Sequence, residues 1–302
     1  MAHVTRGDVS LYWEEAGPDN GPAVLLIMGL GAQLIAWRPG FVERLTDQGY
    51  RVIRFDNRDA GWSSSTSDRV LQIPDMVKLA TGIDRGSADY LLSDMALDAA
   101  AVLDAANVER AHVVGASMGG MIAQQLAIDL PERVASLTSI MSRPGSRLAG
   151  LPTVQVVRTV MKPTPNDRAA MLEQELTRHE TIGGPLFDRA ATEVFLNEAY
   201  ERTPERGGTP RQLAAILASP DRTPGLRLLQ TPTLVIHGRQ DRLVRPSGGR
   251  ATAAAVPGSS LLMVDRMGHD LPQPLWPLLT DAIGGHIRRA EHQRIDGGVA
   301  VG

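Results

Sequence analysis

Six short apolar runs, at residues 23–28, 51–56, 111–115, 134–141, 232–238 and 259–265, recur along the chain, most with helical patterns between them. Each is rich in Val, Ile and Leu and is bounded by Gly, Pro or charged residues, as a strand buried on both faces must be. Residues 93–106 show the intervening pattern: Met95, Ala99, Val102 and Leu103 fall on one helical face, with Ser93 placed to cap it. Strand–helix alternation of this kind predicts an α/β fold, a mostly parallel central sheet flanked by helices. The alternating stretch 8–15 predicts an antiparallel edge hairpin.

One segment breaks the rhythm. From 145 to 228 no strand pattern occurs. Amphipathic stretches at 154–161, 168–179, 188–201 and 211–218 are separated by Pro- and Gly-rich joints, which predicts a helical insertion between two strands of the sheet. The expected organisation is a core formed by 1–144 and 229–290, the insertion at 145–228, and a frayed tail at 291–302, which offers little to pack.

Composition removes several function classes. The net charge is −3 and the basic residues are spread along the chain, so no cationic patch for nucleic acid is expected. There are no cysteines, which rules out disulfides, a thiolate nucleophile and Cys-ligated zinc. The N-terminal residues carry charges every few positions and lack a signal-peptide core. The apolar runs are far shorter than the roughly 18 residues a membrane-spanning helix needs, so no transmembrane segment and a cytoplasmic location are expected.

The run from His112 to Ile128, HVVGASMGGMIAQQLAI, asks for chemistry. A strand pattern enters Gly115-Ala116-Ser117-Met118-Gly119 and a helix pattern leaves it. A strand that turns this sharply into a helix holds the central residue in a strained conformation, and its neighbours two before and two after must be small. The turn lifts the Ser117 hydroxyl over a helix N-terminus, where free N–H groups favour an oxyanion. Serine needs a base at neutral pH. Of seven histidines, His3, His286 and His292 lie near the termini, His112 and His237 lie in strand patterns, and His179 lies in the insertion. His269 follows the last strand pattern, in the kind of loop where open α/β sheets place their sites. No His pair has ligand spacing on a helix, so no metal is expected. Asp241, just past the preceding strand pattern, is the expected partner of His269.

Two backbone amides are expected to stabilise the oxyanion, those of Met118 and of Leu30, in the loop after the first apolar run. Gly29 and Trp37 are expected to line the substrate site. The pair Gly29-x-Gly31 is not a dinucleotide fingerprint, because Leu34 stands where the third glycine belongs.

With these residues in hand, residues 8–290 resemble the α/β-hydrolase superfamily. The segments Asp56–Ser64 (DNRDAGWSS), GRQDRLV around Asp241 and MGHDLP around His269 are similar to its characteristic loops, and Ser117, Asp241 and His269 follow its triad order. The segments VLLIMGLGAQLIAW and HVVGASMGGMIAQ resemble bacterial serine esterases, the aclacinomycin methylesterase type and mycobacterial lipid esterases of the lipase, phospholipase and thioesterase kind. Where the superfamily usually carries His-Gly, this chain has Met28-Gly29. The resemblance implies that 145–228 is a helical cap. It also implies a serine carboxylic-ester hydrolase that acts on a small-molecule ester or thioester with an apolar acyl or alcohol part and needs no cofactor. Carbon–carbon bond hydrolases and cofactor-free haloperoxidases or perhydrolases use the same triad, and a ligand-sensing receptor on this fold is a further alternative. Leu151, Val154, Met161, Phe187 and Phe195 either meet an apolar substrate or pack the insertion onto the core. The insertion is expected to set chain-length selectivity more than the chemistry itself.

Overall fold

The computed structural model describes residues 2–66, 75, 78–79, 83, 86, 88–160, 162, 165, 167–202 and 208–299. Eight strands form one sheet: β1 (Ala2–Arg6), β2 (Val9–Ala16), β3 (Ala23–Ile27), β4 (Arg51–Phe55), β5 (Ala111–Ala116), β6 (Val134–Ile140), β7 (Thr233–Gly238) and β8 (Ser260–Val264). Their spatial order is β1-β2-β4-β3-β5-β6-β7-β8. The first two strands form the antiparallel hairpin at one edge, and β2 also runs antiparallel to β4. All other neighbours are parallel.

Alternating side chains split the apolar strands between two cores. On one face Leu25, Ile27, Ile53, Val113 and Leu137 pack against α2 (Leu92–Ala105) and α3 (Met118–Asp129). On the other, Val24, Leu26, Val52, Val114, Ile140 and Ile236 pack against α1 (Pro39–Thr46) and α10 (Trp276–Val299). Register keeps the layers aligned: Val113 lies between Leu25 of β3 and Leu137 of β6. Truncating a central residue such as Leu25 to Ala should cost about 2–5 kcal/mol.

Two local expectations are corrected. Ser93 does not cap α2. The helix already begins at Leu92, and Asp94 caps it by accepting the Leu91 N–H at 2.9 Å. The C-terminal tail does not fray from 291: the backbone of α10 stays helical to Val299. Leu279, Ile283, Ile287 and Ala290 form a buried stripe on it, and Glu291 reaches His112 at 3.3 Å, so the helix is tied to the sheet past the expected break.

Between β6 and β7 lie α4 (Val154–Val160), α5 (Arg168–Ile182), α6 (Arg189–Arg202), α7 (Gly208–Ala218) and the short α8 (Thr223–Leu226), with no strand among the described residues. Helix α9 (Ser247–Ala255) joins β7 to β8. Several inserted helices reach loops at the C-terminal ends of the parallel strands. Asp56, after β4, pairs with Arg202 of α6 at 3.0 Å. The guanidinium of Arg202 also covers the Trp62 ring at 4.1 Å. Asp59 pairs with Arg211 of α7 at 2.8 Å. No helix among the described residues is long and apolar enough to cross a membrane.

Candidate active site

Ser117 sits between β5 and α3 with φ 56° and ψ −119°. This left-handed conformation is strained for an L-residue, and the flanking glycines make it possible. A Cβ at Gly115 would lie 2.1 Å from Gly119 O, and one at Gly119 would lie 2.0 Å from Ile27 O. Strand, turn and helix are thus in backbone contact, and no larger residue fits at either position.

The three side chains expected to act together are brought together. Ser117 Oγ lies 2.9 Å from His269 Nε2, and His269 Nδ1 lies 2.8 Å from Asp241 Oδ2. A carboxylate only accepts, so the imidazole proton belongs on Nδ1 and Nε2 is left to accept from the serine hydroxyl. The other oxygen, Asp241 Oδ1, accepts the N–H groups of Leu243 and Val244, each at 2.9 Å. Burial by itself would push the Asp241 carboxyl up. The neighbouring His269 and hydrogen bonds from His237 and His269 outweigh it and hold the group below the usual carboxylate range. His237 also donates Nε2–H to Val244 O at 2.7 Å, so it braces the same loop.

The two competing carboxylates lie elsewhere. Asp265 pairs with Arg239 at 2.8 Å, with 82% of its side chain exposed. Asp270 turns back on its own loop and accepts the Gly268 N–H at 3.0 Å and, at 3.4 Å, the Gly184 N–H. Burial pushes the Asp270 carboxyl up against the opposing effect of those N–H groups.

The loop after β3 approaches the serine from the side. Ala32 N–H bonds to Gly29 O at 3.2 Å, closing a turn, and a Cβ at Gly29 would lie 3.0 Å from Ser117 Cβ. Leu30 follows Gly29 in this turn, and Met118 opens α3. Among the described residues no acceptor within the protein takes the N–H of Leu30 or of Met118. Both amides are therefore unclaimed within the protein, one on the residue after Gly29 and one on the residue after Ser117.

Trp37 corrects the expectation of a substrate contact. Its side chain is fully buried and stacks on Phe41, with ring centroids 5.3 Å apart. The short 3-10 turn Leu34–Ala36 folds the chain back so that Trp37 enters the core beneath α1 instead of facing the site. Leu151 and Val154 are exposed, whereas Phe187 and Phe195 are half-buried, and Met161 lies outside the described residues.

Other residues meet the site that sequence reasoning did not single out. The His269 N–H is held by Ile182 O at 2.8 Å, at the end of α5. One turn earlier on α5, His179 approaches the Phe195 ring at 6.4 Å. Burial pushes the His179 imidazole down, against the opposing charge of Glu175. Gln33 donates to Ala199 O at 2.8 Å and accepts from Arg202 at 2.6 Å. The inserted helices thus hold both the loop after β3 and the histidine loop. Sequence spacing carries no signal for these contacts, because they join segments more than 80 residues apart through single backbone and side-chain atoms.

Residues 22–272 match the family model of the alpha/beta hydrolase fold. The chain is 28% identical to rhodomycin D methylesterase DauP of Streptomyces sp. (strain C5), over 95% of this chain and 98% of that protein. It is 29% identical to a 2-hydroxy-6-oxononadienedioate/2-hydroxy-6-oxononatrienedioate hydrolase of Paraburkholderia xenovorans (strain LB400), over 87% of this chain and 85% of that protein. Its fold is similar to that of the enol-lactonase from Burkholderia xenovorans LB400, with a TM-score of 0.71, 20% identity, and coverage of 95% of this chain and all of that one.

Proposed function

The chain belongs to the alpha/beta hydrolase family, and within it we propose that it hydrolyses carboxylic esters through an acyl-enzyme on Ser117. The observation that carries this reading is the unbroken relay from Ser117 Oγ to His269 to Asp241, with contacts of 2.9 and 2.8 Å. His269 takes the hydroxyl proton as Oγ attacks the carbonyl carbon. The Leu30 and Met118 amides hold the tetrahedral oxyanion. The protonated imidazole then gives its proton to the departing alcohol or thiol, and Asp241 stabilises the imidazolium. In the second half, His269 activates water, which releases the acid and restores the serine.

The substrate is an ester or thioester with an apolar acyl or alcohol part. Likeness to a methylesterase favours the methyl ester of a larger organic molecule. Residues 145–228 act as the cap over the site, and 1–144 with 229–290 form the core. A second reading, carbon–carbon bond hydrolysis, is favoured by the likeness to the dienedioate hydrolase over most of the chain.

The test is a kinetic screen over p-nitrophenyl esters, aryl methyl esters, acyl thioesters and a 2-hydroxy-6-oxo-dienoate. Multiple turnover on esters, with kcat/KM rising with apolar size, supports the reading. Turnover of the dienoate alone moves the assignment to carbon–carbon cleavage. Binding without turnover on any of them identifies a receptor.

A further inference from the structure

The turn that carries the Leu30 amide is not held by the sheet alone. Its closing bond is Ala32 N–H to Gly29 O, and Gly31 at its third position has φ +68°, which makes it a type II turn. In such a turn the peptide between Leu30 and Gly31 can flip toward type I, and the loop shifts with it. Here that peptide is pinned. Gln212, on α7 and fully buried, accepts the Gly31 N–H on Oε1 at 2.7 Å. Its Nε2 donates to Arg58 O at 2.7 Å. Arg58 is itself locked to the buried Asp98 by bonds of 2.6 and 2.7 Å. Thr209 of α7 closes the remaining space: a Cβ on Gly31 would lie 2.7 Å from its Oγ1.

We propose that Gln212 is a positioning residue for the oxyanion turn, a strut between the rigid Arg58 loop and Gly31 that keeps the Leu30 amide aimed at the site. An N–H on one side and a C=O on the other demand a side chain with both an acceptor and a donor, at this length, in one orientation. Glutamine meets that demand; methionine matches its length and supplies neither group. The consequence is that the inserted helices take part in transition-state stabilisation, through the turn and not through substrate contact.

This inference rests on the Ser117 reading, and the experiment separates the two. Active sites are counted by titration with a phosphonate, and kcat and KM are measured on p-nitrophenyl acetate. Affinity is measured for an alkyl boronic acid, which forms a tetrahedral adduct on serine. In Gln212→Met, kcat per titrated site should fall about 10- to 100-fold, with boronate affinity falling in parallel and KM changing by less than about twofold. A merely structural role would lower the melting temperature and leave kcat per titrated site and boronate affinity unchanged. That result overturns the proposal.

If Gln212→Met does not fold, Gln212→Glu decides. Its protonated carboxyl satisfies both partners. Its ionised form loses the donor to Arg58 O and puts negative charge behind the turn. The ratio of variant to wild-type kcat should therefore fall as pH rises from about 5 to 8. A ratio constant with pH overturns the proposal. Wild-type protein that takes up no phosphonate on Ser117 defeats the underlying reading, and the inference falls with it.

Discussion

Replacing Asp241 by Asn should cost about 10⁴ in kcat, and the geometry says why. Asp241 Oδ1 is committed to two donors, the N–H groups of Leu243 and Val244, each at 2.9 Å. In Asp241→Asn the amide oxygen must stay on that side, since an NH₂ there would face two N–H groups. The new NH₂ then faces His269 Nδ1, where Oδ2 now lies at 2.8 Å. Nδ1 must become the acceptor, so the proton moves to Nε2, the atom that has to receive the Ser117 proton. The imidazole is held in the wrong tautomer, and the charge that stabilises the imidazolium is also lost. Together these correspond to about 10⁴ in rate, or about 5.5 kcal/mol of barrier. Asp265→Asn removes only a solvent-exposed pair and should cost less than about 1 kcal/mol. Asp270→Asn keeps an acceptor for Gly268 and should cost no more than about tenfold in kcat. The assay is kcat on a p-nitrophenyl ester, per site and with thermal melts to confirm folding. If a folded Asp241→Asn keeps more than about a tenth of wild-type kcat, or Asp265→Asn is equally damaging, the assignment of the acid is wrong.

Three further outcomes follow from the same geometry. Ser117 has φ 56°, so Ser117→Gly should melt higher than Ser117→Ala, by about 1 kcal/mol of relieved strain, while both lose esterase activity; a glycine variant that melts lower would contradict the strained elbow. The Asp270 carboxyl is raised, so what it contributes to stability is present below its unfolded value of 3.8 and lost as pH rises through its folded value. Asp270→Asn should therefore raise the melting temperature at neutral pH, with the gain vanishing in acid; an equal gain at both would point to a cause other than charge. His179 and His286 are pushed down by burial, and Asp59 and Asp241 are held low against burial by their partners, so all four favour folding at higher pH. Stability should fall first as pH drops below the ordinary imidazole value of 6.5, and further below the carboxylate value of 3.8; denaturant melts that are flat from neutral pH to pH 4 would contradict the histidine part.

The parts of the fold that were legible in the sequence are those set by local pattern. Runs such as 111–115 announce a buried strand because every residue of β5 is covered on both faces. The elbow was legible because its sterics are local: Gly115 and Gly119 are close to Ser117 in sequence as well as in space. His269 and Asp241 were found because a site at the ends of parallel strands needs its groups just after those strands. Trp37 was misplaced because proximity to Gly29 in sequence does not say which way a short 3-10 turn sends the chain. Ser93 lost to Asp94 because the helix starts one residue earlier, and a carboxylate reaching back to Leu91 satisfies the free N–H there. The contact of Glu291 on α10 with His112 is a pairing across the molecule that periodicity does not encode. Gln212, Ile182 and Arg202 were invisible for the same reason: their partners are single atoms on loops far away in the chain.

The most direct test of the account is covalent labelling of the protein with a fluorophosphonate, read by peptide mass spectrometry. The account predicts one adduct per chain, located on Ser117, forming in step with the loss of esterase activity. It predicts no adduct in Ser117→Ala and markedly slower labelling in Asp241→Asn, whose imidazole cannot accept the serine proton. Esterase turnover that persists in fully labelled protein, or an adduct on another residue with Ser117 untouched, would contradict it.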